Sequence, residues 1–132
     1  MSKRKLQVAT AILAAVPVVT GLLGMTGVGD PLYASLNLPR DATLDSNLRF
    51  FAGVWMGLGF VAFWLVSRIE HETVLFRAVW LMIFMGGIGR LLSLLMTGMP
   101  FPPFVGFTLL ELAGAPLFIW WQSAVARDAA AN

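Results

Sequence analysis

The sequence predicts an all-α membrane protein, a bundle of four transmembrane helices with a short interfacial helix after the first span. Three observations predict it. The 132-residue chain is 58% hydrophobic and only 12% charged, whereas charged side chains make up about a quarter of an ordinary soluble domain. Its mean hydropathy is +0.81. Its apolar residues fall into four runs separated by polar or proline-rich breaks. Each run approaches the ~20 residues a helix needs to cross ~30 Å of hydrocarbon at ~1.5 Å per residue. Residues 1–132 are therefore read as a single membrane domain with spans at about 6–25, 47–66, 73–97 and 103–124, leaving no length for a separate soluble domain.

The first span runs from Leu6 to Met25 and carries Pro17, which should kink it. The basic start and apolar stretch imitate a signal peptide, but no Ala-x-Ala pattern follows at the expected place, so a retained helix is expected. After Gly24-Met25-Thr26-Gly27-Val28-Gly29, Asp30 is suited to cap a helix with Pro31 at its first position. This short piece, Pro31 to Leu36, offers Leu32, Tyr33 and Leu36 to one face and is expected at the membrane surface. The second span should begin near Ser46 or Asn47 with Asp45 or Ser46 as cap, and end near Val66. Arg68, Glu70, His71, Glu72 and Arg77 mark a water-exposed turn before the third span. The loop Gly98-Met99-Pro100-Phe101-Pro102-Pro103 then folds the fourth span back on the third. That last span contains Pro116 and ends in Trp120-Trp121-Gln122, a pair of aromatics suited to the interface.

Four spans put both termini on one side. Lys3, Arg4, Lys5, Arg68, Arg77 and Arg127 lie at that side's helix ends, against Arg40 and Arg49 opposite, which predicts cytoplasmic termini in a bacterial inner membrane. The net charge of +2 is read as this orienting charge, not as a nucleic-acid surface. The chain has no Cys and one His, which excludes disulfides, thiol catalysis and a multi-histidine metal cage, and no cofactor is expected. Gly86-Gly87-Ile88-Gly89 lacks the preceding strand of a nucleotide loop and is read as helix packing. The methionines are read as packing or lipid-facing residues, and His71, between Glu70 and Glu72, as a solvated turn residue.

The candidate site is built from charge inside the apolar runs. A charged side chain in hydrocarbon costs from ~2.5 to more than 10 kcal/mol, so an unpaired one is rarely placed there. Arg90 and Glu111 lie at similar distances from the proline-rich loop, about 10 and 12 Å at helical rise, and are expected to face each other. Arg90 shares a face with Ile83, Gly86, Gly87, Ser93 and Thr97, and Glu111 with Phe107, Thr108, Gly114, Ala115 and Phe118. Arg49 is the third member, with Gly53 and Gly57 on its face turning it toward protein and its stem able to extend to the surface or toward Glu111. Asn47, Ser93, Thr97 and Thr108 are candidate hydrogen-bond partners, and Gly53, Gly57, Gly86, Gly87 and Gly114 candidate helix-packing positions.

The run Asn47 to Gly59, then Phe76-Arg77, Gly86-Gly87-Ile88-Gly89-Arg90-Leu91-Leu92-Ser93 and Glu111-Leu112-Ala113-Gly114-Ala115-Pro116, resembles a family of small bacterial four-helix membrane proteins known only as a domain of unknown function. The resemblance implies the fold and the Arg49, Arg90, Glu111 triad without a substrate. The chain is also similar in size to small multidrug exporters, but its acidic residue is in the fourth span and not the first.

Several readings of the triad stay open. It is a structural ion pair with Arg49 snorkelling to the interface, or a site for a lipid-like or anionic amphiphile, since an Arg fork suits carboxylate and phosphate. The expected function is a noncatalytic membrane protein that binds such a ligand in its outer half, or an accessory subunit of a membrane complex. A small proton-coupled transporter using Glu111 is the alternative. A lipid-modifying enzyme is third, because no nucleophile and base pair accompanies Glu111 and no catalytic residue is expected. Membrane lipid, and a homodimer or a larger membrane complex, are the partners considered.

Overall fold

The apolar runs fold as helices α1 (Lys3–Gly24), α2 (Ala42–Val66), α3 (Thr73–Thr97) and α4 (Pro102–Ala130) in a computed structural model that describes residues 2–131. All four are long and apolar enough to cross a membrane. No strand occurs among the described residues. The chain divides into two compact units, one of residues 8–67 and one of residues 2–7 with 68–131.

In the first unit, α1 and α2 meet through small residues. A Cβ added at Gly21 would lie 2.8 Å from the Ala52 carbonyl oxygen and the Met56 Cβ, one at Gly24 2.8 Å from the Ala52 Cβ, and one at Gly59 2.7 Å from Val18 and 3.0 Å from Pro17 and the Ala14 carbonyl oxygen. Close backbone approach of this kind holds helices together where lipid removes the hydrophobic driving force. The contact face of α2 is therefore Ala52, Met56 and Gly59. Gly53 and Gly57 lie off it: an added Cβ would find only the Met25 sulfur at 3.7 Å at the first and nothing within 4 Å at the second. This corrects the expected packing stripe, which was displaced by about 100°, the turn between neighbouring residues in a helix. Trp55 donates to the Thr20 hydroxyl at 2.9 Å, and that hydroxyl donates to the Val16 carbonyl at 2.7 Å.

The connection between α1 and α2 is built from its caps. Asp30 accepts from the Leu32 amide at 2.9 Å, and with Pro31 behind it starts a 3-10 helix over Pro31–Leu36 that ends at left-handed Asn37. Helix α2 starts earlier than the sequence suggests, because Asp41 and not Asp45 or Ser46 caps it, accepting from the Leu44 amide at 2.8 Å. Asp45 is thereby one turn inside the helix, free for another use.

In the second unit the core lies near the turn joining α2 to α3. Phe76, Val79, Trp80, Ala115, Phe118 and Val125 are buried, and the rings of Trp80 and Phe118 stack at 4.2 Å between centroids. Gln122, fully buried, donates to the Ile69 carbonyl and the Thr73 hydroxyl, both at 2.9 Å, and so ties α4 to the start of α3. Outward-facing residues such as Leu95, Met96 and Leu109 are exposed. In hydrocarbon this costs nothing, which is why the core is small for a chain of this hydropathy.

At the same end, Lys3 bonds Glu70, with His71 Nε2 3.5 Å from the same carboxyl oxygen. The bond from Lys3 holds the Glu70 carboxyl below its ordinary range, against an opposing contribution from burial. A carboxyl depressed on folding contributes stability that is present above its unfolded value and lost as pH falls through its folded value. Thermal unfolding in detergent should show a lower midpoint as pH drops below the ordinary carboxylate range, and Glu70→Gln should shrink that dependence. An unchanged acid profile in the variant would remove Glu70 from it.

Candidate functional site

Arg90 and Glu111 are brought together by three local features of the α3–α4 hairpin. Helix α3 ends at Gly98, whose φ of +105° suits glycine, and α4 starts with Pro102 and Pro103 in its first turn. Gly87 is the second feature. A Cβ there would sit 2.8 Å from the Glu111 Cβ and 3.1 Å from two atoms of Leu112, so only glycine lets α4 come this close, three residues before Arg90. The third is a π-helical segment, Leu110–Gly114, within α4. Pro116 has no N–H to give the Leu112 carbonyl, and its ring would clash with that carbonyl in an α-helix. Widening the preceding turn relieves both, and such π segments often occur at functional positions.

The Arg90 Nε–H donates to Glu111 Oε1 at 3.2 Å. Oε2 is slightly nearer, at 3.0 Å, but off the direction of the N–H, and it is a buried oxygen without a hydrogen bond. The Arg90 side chain is 36% exposed and that of Glu111 9%. The guanidinium carbon lies 5.2 Å from the centroid of the Phe104 ring, a cation–π arrangement. Phe104 in turn meets Phe101 and Phe107 edge-on at 6.2 and 6.1 Å, giving an aromatic ladder along the first turns of α4. Among the described residues the two Nη groups of Arg90 make no hydrogen bond. The contact thus uses one edge of the guanidinium and leaves its fork open.

The guanidinium of Arg49 is committed within its own unit. Its Nε donates to Asp45 Oδ2 at 2.7 Å, Nη2 to Asp45 Oδ1 at 3.3 Å and to the Thr26 carbonyl at 3.2 Å, and Nη1 to the Met25 carbonyl at 2.5 Å. Asp45 Oδ1 also accepts from the Val28 amide at 3.0 Å. Arg49, expected as the third member of the triad, is therefore committed to Asp45, to the Met25 carbonyl just past α1, and to the Thr26 carbonyl, which also accepts from the Gly29 amide. Asp45 was missed as its partner, although the spacing of four residues on one helix was a readable signal. Asn47, Ser93 and Thr97 are exposed, and their side chains make no hydrogen bond among the described residues. The Thr108 hydroxyl is turned back onto its own helix, donating to the Phe104 carbonyl at 2.8 Å. Of the other glycines, an added Cβ at Gly86 would meet nothing within 4 Å, and one at Gly114 only Leu110 of its own helix at 3.9 Å, so neither is a close contact within the chain. Phe104 beneath Arg90 was also not singled out, because an aromatic in an apolar run carries no distinguishing signal.

Four span-capable helices carrying a part-buried Arg–Glu contact define a multi-pass membrane protein. The chain belongs to the family described as Domain of unknown function (DUF4345), which matches residues 5–122. No curated protein and no solved structure matches it.

Proposed function

We propose that this is a noncatalytic protein of the bacterial cytoplasmic membrane, with both termini cytoplasmic, in which Arg90 binds the anionic head group of a lipid-like amphiphile in the outer half of the bilayer. The orientation rests on the excess of Lys and Arg at the helix ends near the termini. One observation carries the binding reading: Arg90, its side chain 36% exposed, meets Glu111 through Nε alone, leaving its Nη fork unbonded among the described residues. A purely structural pair would be expected to use that fork, because two parallel bonds to a carboxylate are stronger than one. The Glu111 contact and the Phe104 face fix the guanidinium, so little freedom is lost when an anion docks. The ladder of Phe101, Phe104 and Phe107 offers an apolar path for the chain of such a ligand.

Arg90→Lys keeps the charge but loses the planar fork. Retention of an anionic amphiphile, measured by native mass spectrometry from nanodiscs, should fall about 10- to 100-fold, as expected for loss of one charge-assisted hydrogen bond of the fork. Equal retention by the folded variant would defeat the reading. A second reading, a small transporter exchanging protons for a cationic or amphipathic substrate, is favoured by the buried, unsatisfied Glu111 oxygen. It requires pH-gradient-driven flux in proteoliposomes that disappears in Glu111→Gln, and its absence from correctly oriented protein would dismiss it.

A further inference from the structure

Building on the reading of Arg90 as a head-group ligand, we infer that the site takes its anion together with one proton, and that Glu111 Oε2 receives the proton. Before binding, one cation and one carboxylate balance each other across 3.0 Å. An anion seated on the Nη fork of the same guanidinium adds a second negative charge beside Glu111, in surroundings made of Phe104, Leu112 and hydrocarbon. Two like charges sharing one cation at low dielectric disfavour each other strongly. Proton uptake from water restores neutrality with one new O–H bond and no other change in bonding.

Oε2 is the atom suited to this. It is buried and accepts no hydrogen bond, whereas Oε1 already accepts from Arg90 Nε. Protonation at Oε2 leaves the Arg90–Oε1 bond in place, so the guanidinium stays oriented while its fork is occupied. No other charged group on the packed elements competes for the role. The π segment packs against α3 and the two flanking stretches of α4. The remaining charged residues there are Arg77 on α3 and Arg127 and Asp128 near the end of α4. They lie roughly 20 Å or more along their helices from Arg90 and Glu111. The coupling has the opposite sense to exchange: proton and ligand enter the site together.

The test is calorimetry of the full chain in phosphatidylcholine nanodiscs, titrated with decanesulfonate, a single-chain anion that stays ionised throughout the pH range. Repeating the titration in buffers of different ionisation enthalpy counts protons without any variant. The expected result is uptake of about one proton per anion, with Kd rising by up to about tenfold per pH unit where free Glu111 is ionised. Glu111→Gln should bind without proton uptake and with a flat pH profile. Phosphatidylglycerol in the nanodisc should compete if the natural head group is a membrane phosphodiester, and fail to compete if it belongs to a free single-chain anion. Binding by the natural protein without proton uptake overturns the coupling and leaves the Arg90 reading standing. Persistent proton uptake in Glu111→Gln overturns the assignment to Glu111, and no binding at any pH overturns both.

Discussion

Gly27→Ala should lower the unfolding free energy by about 2–4 kcal/mol, combining backbone strain with loss of a charge-assisted hydrogen-bond cluster. Gly27 has a φ of +65°, a left-handed conformation that an L side chain rarely adopts. The space is closed as well: an added Cβ would lie 2.0 Å from Asp45 Oδ1 and 2.9 Å from Arg49 Nε. Asp45 would have to swing away, releasing both the Val28 amide and the Arg49 guanidinium, and with them the carbonyls of Met25 and Thr26. Gly29 is the control, since a Cβ there meets nothing within 4 Å and its φ is not positive. Denaturant unfolding in detergent should separate the two variants clearly. Equal stability of Gly27→Ala and Gly29→Ala would mean that the cluster does not hold the connection between α1 and α2.

The second large effect is expected from Arg90→Leu. Removing one partner of a buried ion pair costs about 3–5 kcal/mol because the other charge is left uncompensated. The lower end, about 3 kcal/mol, is expected here, since Arg90 is 36% exposed and Glu111 can relieve the imbalance by taking a proton. The double variant Arg90→Leu with Glu111→Leu should recover most of the loss, because paired charges replaced by apolar groups of similar size are often close to neutral in stability. Ligand retention should not recover with it. A double variant as unstable as Arg90→Leu alone would show that the damage is steric, at the narrow contact beside Gly87, and not electrostatic.

How far the sequence could be read depends on how local each signal is. The Asp30-Pro31 start of the 3-10 helix was legible because a cap and its proline act within a few residues. The start of α2 was misplaced by several residues, since Asp41, Asp45 and Ser46 are all competent caps and nothing local ranks them. The glycines divide in the same way. Nothing in a run of glycines says which face meets another helix, so Gly53, Gly57, Gly86 and Gly114 were named beside Gly87, while Gly21, Gly24 and Gly59, where close contacts also fall, were passed over. For the charged residues, the cost of burial in hydrocarbon made Arg90 and Glu111 conspicuous. The same reasoning grouped Arg49 with them and overlooked Asp45, one turn away on the same helix.

By itself the sequence determined that this is an all-helical chain with four spans, and that two charges stand where lipid penalises them, because hydropathy and charge act on each residue alone. Only the tertiary structure decided which edge of Arg90 is used, which oxygen of Glu111 is left over, and where Arg49 is committed. The first two outcomes depend on the close approach of α3 and α4 at Gly87 and on the widened turn before Pro116, and the third on the Met25 and Thr26 carbonyls, which folding brings to Arg49 from the end of α1.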